Sequence, residues 1–138
     1  NAFVGNYLAD VWREMGDLTT ATLLAQESLR IFTELEDTHY LPDAQLTLAQ
    51  IAMDQGAYET AVSLAALAHD HYAARDDAAP MAGALLVQAE LAEKMGDRET
   101  AVTLLARSRA LRQSVNRAIS PREQAQYDLL ARTLETGD

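Results

Sequence analysis

The residues in this chain best suited to chemistry are paired carboxylates. Asp10 and Glu14 stand four apart and Glu90 and Glu93 three apart, so on a helix each pair shares a face. Two carboxylates that close could act as acid and base, or hold a cation. They could equally be a solvated surface. Nothing nucleophilic or oxyanion-stabilising accompanies them, so no catalytic residue is assigned and the expectation is a protein that is not an enzyme. The histidines are His39, His69 and His71. On a helix His69 and His71 would point roughly 200° apart, which does not suit a shared metal. Cysteine is absent, which removes disulfides, thiolate ligands and cysteine nucleophiles. No stretch matches GxxxxGK[ST] or GxGxxG, and the single lysine, Lys94, falls inside a helical pattern. Neither a metal nor a cofactor is expected.

Charge narrows the partners. The formal net charge is −10, which repels phosphate backbones and argues against direct nucleic-acid contact. The stretch from Thr100 to Arg122 holds Arg107, Arg109, Arg112, Arg117 and Arg122 and no acid, so the rest of the chain carries about −15. Arg107, Arg109 and Arg112 form a candidate docking patch for an acidic surface, self-association included; cations at a helix C-terminus would explain them equally. No apolar run approaches a membrane span, and a cytoplasmic setting is expected. The chain opens on Asn1-Ala2 without an initiator Met, and the expectation is one domain, 1–138, cut from a larger protein.

The elements that position these groups follow a repeat. Gly16-Asp17-Leu18-Thr19-Thr20-Ala21 returns as Gly56-Ala57-Tyr58-Glu59-Thr60-Ala61 and as Gly96-Asp97-Arg98-Glu99-Thr100-Ala101, 40 residues apart each time. Each Gly suits the left-handed residue that ends a helix, and Asp17 or Thr19 can cap the next. Apolar residues recur at three- and four-residue steps on both sides of every Gly, and no strand-like alternation survives. Seven helices are expected: three hairpins over about 2–36, 42–75 and 80–116, then a final helix over about 121–136. Pro42 and Pro80 open the third and fifth helices, and Ser120-Pro121-Arg122-Glu123 is a capping box before the seventh, which ends at Gly137. The first helix carries Phe3, Val4, Tyr7, Leu8, Val11, Trp12 and Met15 on one face, with Tyr7 and Trp12 expected in the core. Expected inward elsewhere are Leu35, Met95, Ala125 and Leu129, among others.

These residues resemble tetratricopeptide (TPR) repeats. Ala9, Ala49 and Ala89 hold the small site of the first helix, Gly16, Gly56 and Gly96 the turn, and Ala21, Ala61 and Ala101 the first small site of the second helix. Ser28, Ala68 and Ser108 hold its next. Small residues there let helix backbones approach. The likeness spans nearly the whole chain; it departs in its period, longer than the usual 34 or so, and at Ala25 and Ala65, where the family has aromatics. It implies an all-α fold, a right-handed α-α superhelix. Glu27-Ser28-Leu29-Arg30, the run from Leu104 to Arg112, and the run from Ile119 to Tyr127 are also similar to the C-terminal region of bacterial LuxR/AfsR-type transcription regulators.

In TPR stacks the first helix of each hairpin lines a concave groove. That register places Asn6, Asp10, Arg13, Leu46, Gln50, Met53, Leu86, Glu90 and Glu93 in it. The lysine that clamps a peptide carboxylate in some TPR domains is missing. The resemblance therefore implies a protein- or peptide-binding scaffold for a basic or amphipathic segment, other domains of the same polypeptide included, within a bacterial regulator. The alternative is a sensor whose groove takes a small-molecule inducer.

Overall fold

Gly16, Gly56 and Gly96 have φ of 88°, 78° and 83°, the left-handed conformation that only a residue without a Cβ takes at no cost. In the computed structural model, which describes residues 2–115 and 118–136, each ends a helix with the same pair of hydrogen bonds. The Gly16 N–H donates to Arg13 and the Asp17 N–H to Trp12; Gly56 with Ala57, and Gly96 with Asp97, repeat this on Met53 with Ala52 and on Glu93 with Ala92. The helices Leu18–Glu34 and Tyr58–Ala74 end the same way with Glu36 and Asp76 at φ of 52°, so the connections between hairpins carry the same turn without glycine.

The elements are α1 (Ala2–Glu14), α2 (Leu18–Glu34), α3 (Leu41–Asp54), α4 (Tyr58–Ala74), α5 (Ala78–Lys94), α6 (Arg98–Gln113) and α7 (Pro121–Thr136), with no strand among the described residues. The fold is all-α. Asn1, Asn116, Arg117, Gly137 and Asp138 lie outside the described residues, and with them the expected stop at Gly137. Pro80 does not open α5. Asp77 precedes its first residue, Ala78, and Pro80 sits inside the first turn, where a missing N–H is still harmless. The Glu123 N–H donates to the Ser120 side chain at 3.1 Å, which is the serine half of the expected box; the Glu123 carboxylate accepts from Arg112 instead.

α1 packs on α2, α3 on α4 and α5 on α6, and the connections bring α2 onto α3 and α4 onto α5. The odd helices also touch one another, α1 with α3, α3 with α5 and α5 with α7, whereas α2 and α4, and α4 and α6, do not. The odd helices thus form the tighter row and the even helices the wider one. Close approach rests on the small residues: Ala9, Ala49, Ala89, Ala21, Ala61 and Ala101 are fully buried, as are Ser28, Ala68 and Ser108 to within 1%. α7 is held on α5 and α6 by Tyr127, Leu130 and Leu134, packed against Leu86, Leu105 and the neighbouring alanines. Burying each of those three is worth about 1.5–3 kcal/mol.

The first helix corrects its expected face. Phe3, Val4, Tyr7, Leu8 and Met15 are exposed, and α1 buries Ala2, Asn6 and Ala9 instead; Trp12 is half-buried against Ala21 and Ala25. The repeat supplies the reason. One period on from Val4 lie Ala44 and Ala84, both fully buried, and they pack on Phe32 of α2 and Tyr72 of α4. Among the described residues no helix precedes α1 to cover that face. Leu35, Met95, Ala125 and Leu129 are likewise exposed rather than inward; the first two sit at helix ends.

Candidate functional site

The odd row carries all nine groove positions, but it does not bring them into one site. Asn6 is buried and its Nδ2 donates to Thr47 Oγ1 on α3 at 3.3 Å. Asn6, Asp10, Leu46 and Gln50 line a first cavity of about 290 Å³ between α1 and α3. Leu46 and Gln50 also line a second, of about 510 Å³, with Leu86 and Pro80 of α5. Its far wall is Ile119, Glu123 and Tyr127, from α7 and the segment before it. Glu90 and Glu93 face a third, smaller recess against Leu129 and Thr133 of α7. Met53 is not in the groove. It is 5% exposed and packs in the core with Ala49, Ala61 and Leu91, because its side of α3 faces α4 and α5. Arg13 is engaged with Asp54 of α3 at 3.0 Å.

Two row carboxylates are perturbed. Burial raises the Asp10 pKa, against the opposing pull of Arg13, Arg122 and a Thr47 hydrogen bond. Burial also raises Glu90, to about 7, against the pull of Arg13 and Lys94, with Asp54 adding to the rise. Asp10 Oδ1 and Glu90 Oε1 are buried and, among the described residues, accept no hydrogen bond. Arg13 lies between these two groups electrostatically, yet its one ion pair is with Asp54.

The first cavity has a wall that the sequence reading did not assemble. Phe3, Phe32 and Tyr40 form an aromatic cluster, with Tyr40 edge-on to Phe3 at 5.2 Å and stacked on Phe32 at 5.8 Å. Tyr7 and Tyr72 complete the ring lining. The Tyr72 hydroxyl donates to Asp43, whose pKa is raised by burial; burial, and then Asp43, raise Tyr72 in turn. One signal was available: Phe32 and Tyr72 are one repeat apart, so aromatics recur at that position of the second helix. Tyr40 and Asp43, in and after the polar connection, gave none.

The arginine patch is divided. Arg107 is exposed and Arg109 half-buried, but Arg112 is 8% exposed. Arg112 Nε donates to Glu123 at 3.0 Å and its guanidinium also reaches the Ala118 carbonyl at 3.1 Å. Arg112 therefore anchors the start of α7 and is not part of a docking surface. Arg122, at the same end of α7, reaches Glu14 of α1 at 2.6 Å, so the first and last odd helices meet through one ion pair. His69 lies 3.6 Å from Asp70, and among the described residues no group of three or more His, Asp or Glu is placed to hold a metal. No helix among them is long and apolar enough to cross a membrane. The chain matches no protein-family model, and no curated protein matches it.

Proposed function

We propose that this chain is a TPR-like helical-repeat scaffold that binds a basic or amphipathic peptide segment along its odd-helix row, as the interaction region of a bacterial transcription regulator. The observation that carries the binding reading is the pair of adjoining cavities along that row, which share Leu46 and Gln50 as a common wall. Contact along the odd row alone supports a curved stack with these cavities on its inner side. The charge supports a basic occupant: Asp10 and Asp43 border the first cavity, in a chain of net charge −10. The regulator context rests on the likeness of the α2, α6 and α7 segments alone. The reading is of a binding module in the cytoplasm, passing its effect to partner domains.

An amphipathic Leu/Lys/Arg helical peptide and its Leu/Glu counterpart, each titrated by fluorescence anisotropy, test it. The basic peptide should bind, the acidic one should not, and Gln50→Ala with Glu90→Ala should weaken binding at least tenfold. Equal binding of both peptides, or unchanged affinity in the double variant, overturns the assignment.

The alternative, a sensor for a small-molecule inducer, has one observation in its favour: the aromatic cavity at the α1 end of the row. Gln50, Met53 and Glu90 of the groove register do not join in one pocket, since Met53 is core and Glu90 faces a different recess.

A further inference from the structure

The cavity between α1 and α3 combines three features that the peptide reading does not require. Its walls are largely aromatic: Phe3, Tyr7, Phe32, Tyr40 and Tyr72 all line it. Its polar lining includes two carboxylates, Asp10 and Asp43, and among the described residues neither forms an ion pair with an Arg or Lys. The nearby arginines act on these carboxylates from a distance but form their ion pairs elsewhere: Arg13 with Asp54, Arg122 with Glu14 and Arg75 with Asp77, the last also lying 5.1 Å over the Tyr72 ring on the cavity wall. Third, Asn6 is only 9% exposed, and its Oδ1, like Asp10 Oδ1, is buried and, among the described residues, accepts no hydrogen bond.

Each feature selects the same chemistry. Aromatic faces attract cations and offer nothing to an anion. Carboxylates that no arginine or lysine contacts directly favour a ligand that brings a cation against them. Acceptor oxygens on the wall are met by N–H or O–H groups, which a quaternary ammonium does not offer. A guanidinium meets all three, since its flat face stacks on rings and its edge donates several hydrogen bonds; a primary ammonium meets them less fully. At about 290 Å³ the space suits a guanidinium or ammonium on a short alkyl chain. Phe3 and Tyr7 line it and are exposed at 57% and 65%, so this part of the wall is open to solvent.

We propose that this cavity is a binding site for an alkylguanidinium or primary alkylammonium group, held between the aromatic wall and the Asp10, Asp43 and Asn6 side chains. The cation is either that of a free small molecule or an Arg or Lys side chain. The site needs no peptide to lie along the rest of the row.

Butylguanidinium, butylammonium, butylurea and butyrate, titrated separately into isotope-labelled protein, test the site by amide chemical shifts. The two cations should move Asn6, Tyr7, Asp43 and Gln50 saturably, with the guanidinium tighter; the neutral and anionic isosteres should not. Asp10→Asn should weaken butylguanidinium about tenfold and Tyr7→Ala about threefold, the latter by removing an exposed ring that folding does not need. Shifts from butylurea equal to those from butylguanidinium, absence of saturable shifts, or unchanged affinity in both variants overturns the proposal. A capped Gly-Arg-Gly peptide that binds more than tenfold tighter than butylguanidinium supports it with a peptide side chain as the source. Equal affinity supports it with a free small cation. Failure of the basic amphipathic peptide alongside saturable butylguanidinium shifts rejects the scaffold reading and leaves this site standing.

Discussion

Ser108 and Ala82 are joined across the third hairpin by a hydrogen bond from the serine hydroxyl to the alanine carbonyl, 2.7 Å long. One hairpin is skipped and the bond recurs: Ser28 donates to the Ala2 carbonyl at 2.8 Å, again across 26 residues. In the middle hairpin the same two positions hold Ala68 and Pro42, both buried. The repeat is therefore a repeat of packing as well as of sequence, and the small second-helix site serves in two hairpins as a polar tie between helices.

Ser108 carries a second bond that Ser28 lacks. Its one hydroxyl hydrogen goes to Ala82, so the Tyr127 hydroxyl, 2.8 Å away, donates to Ser108 and joins α7 to the hairpin. Ser108→Ala leaves a buried tyrosine hydroxyl without its acceptor and should cost about 2–3 kcal/mol, against about 1 kcal/mol for Ser28→Ala. Urea unfolding of the two variants measures the difference. Equal losses would mean that the Tyr127 bond adds nothing.

The second prediction uses the one of the three glycine turns that lacks a side-chain cap. Asp17 and Asp97 precede α2 and α6 and accept hydrogen bonds from the N–H groups of Thr20 and Thr100 at 3.0 and 3.1 Å. Ala57 precedes α4 with nearly the same backbone, φ −85° and ψ 68° beside −89° and 81° at Asp17, and makes no side-chain cap. Ala57→Asp should therefore cap α4 through the Thr60 N–H and raise the thermal midpoint by roughly 2–5 °C. A midpoint that stays or falls would show that the middle turn differs from its neighbours.

The features legible beforehand were those that a residue's own backbone or size dictates. Gly16, Gly56 and Gly96 announce a positive φ, and Ala9, Ala49 and Ala89 announce close approach, whatever surrounds them. Features set by a neighbour were not legible. Val4 is exposed while its equivalents Ala44 and Ala84 are buried, and only the presence of a preceding helix separates them. Met53 reads as a groove residue in the family register, but α4 and α5 cover it. The Tyr72–Asp43 contact joins residues 29 apart on different helices, a pairing no local pattern marks.

Arg112 gives the third prediction. Its Nε hydrogen bond to Glu123 and its contact with the Ala118 carbonyl hold the first turn of α7 and the segment before it. Arg112→Ala should cost about 2–3 kcal/mol, because it strips a charge-assisted hydrogen bond from a largely buried site. Hydrogen exchange should speed selectively across Pro121–Thr136 while Ala2–Glu14 and Leu18–Glu34 stay protected. Arg107→Ala, at an exposed position, should leave both readings unchanged. Uniform acceleration across all helices would mean that α7 is not a separately anchored element.

The last prediction concerns pH. Burial lifts Glu90 from an ordinary value near 4.5 to about 7, and the groups acting on it are Arg13 from α1, Asp54 from α3 and Lys94 from α5. A raised carboxyl binds its proton more tightly in the folded chain than in the unfolded one. Its contribution to stability is thus fully present below the unfolded value and is lost as pH rises through about 7. The Glu90 contribution should therefore fall between about pH 4.5 and pH 7.5, by on the order of 2–3 kcal/mol. Asp10 and Asp43, also raised by burial, act in the same direction at lower pH, so the wild-type slope alone does not isolate Glu90. Glu90→Gln does: it keeps the shape and removes the titration. The variant should approach wild-type stability near pH 4.5 and exceed it near pH 8, where the wild type holds a buried carboxylate with one oxygen unpaired. Parallel stability profiles for the two proteins across that range would show that Glu90 is ionised at neutral pH and that Arg13 compensates for its burial.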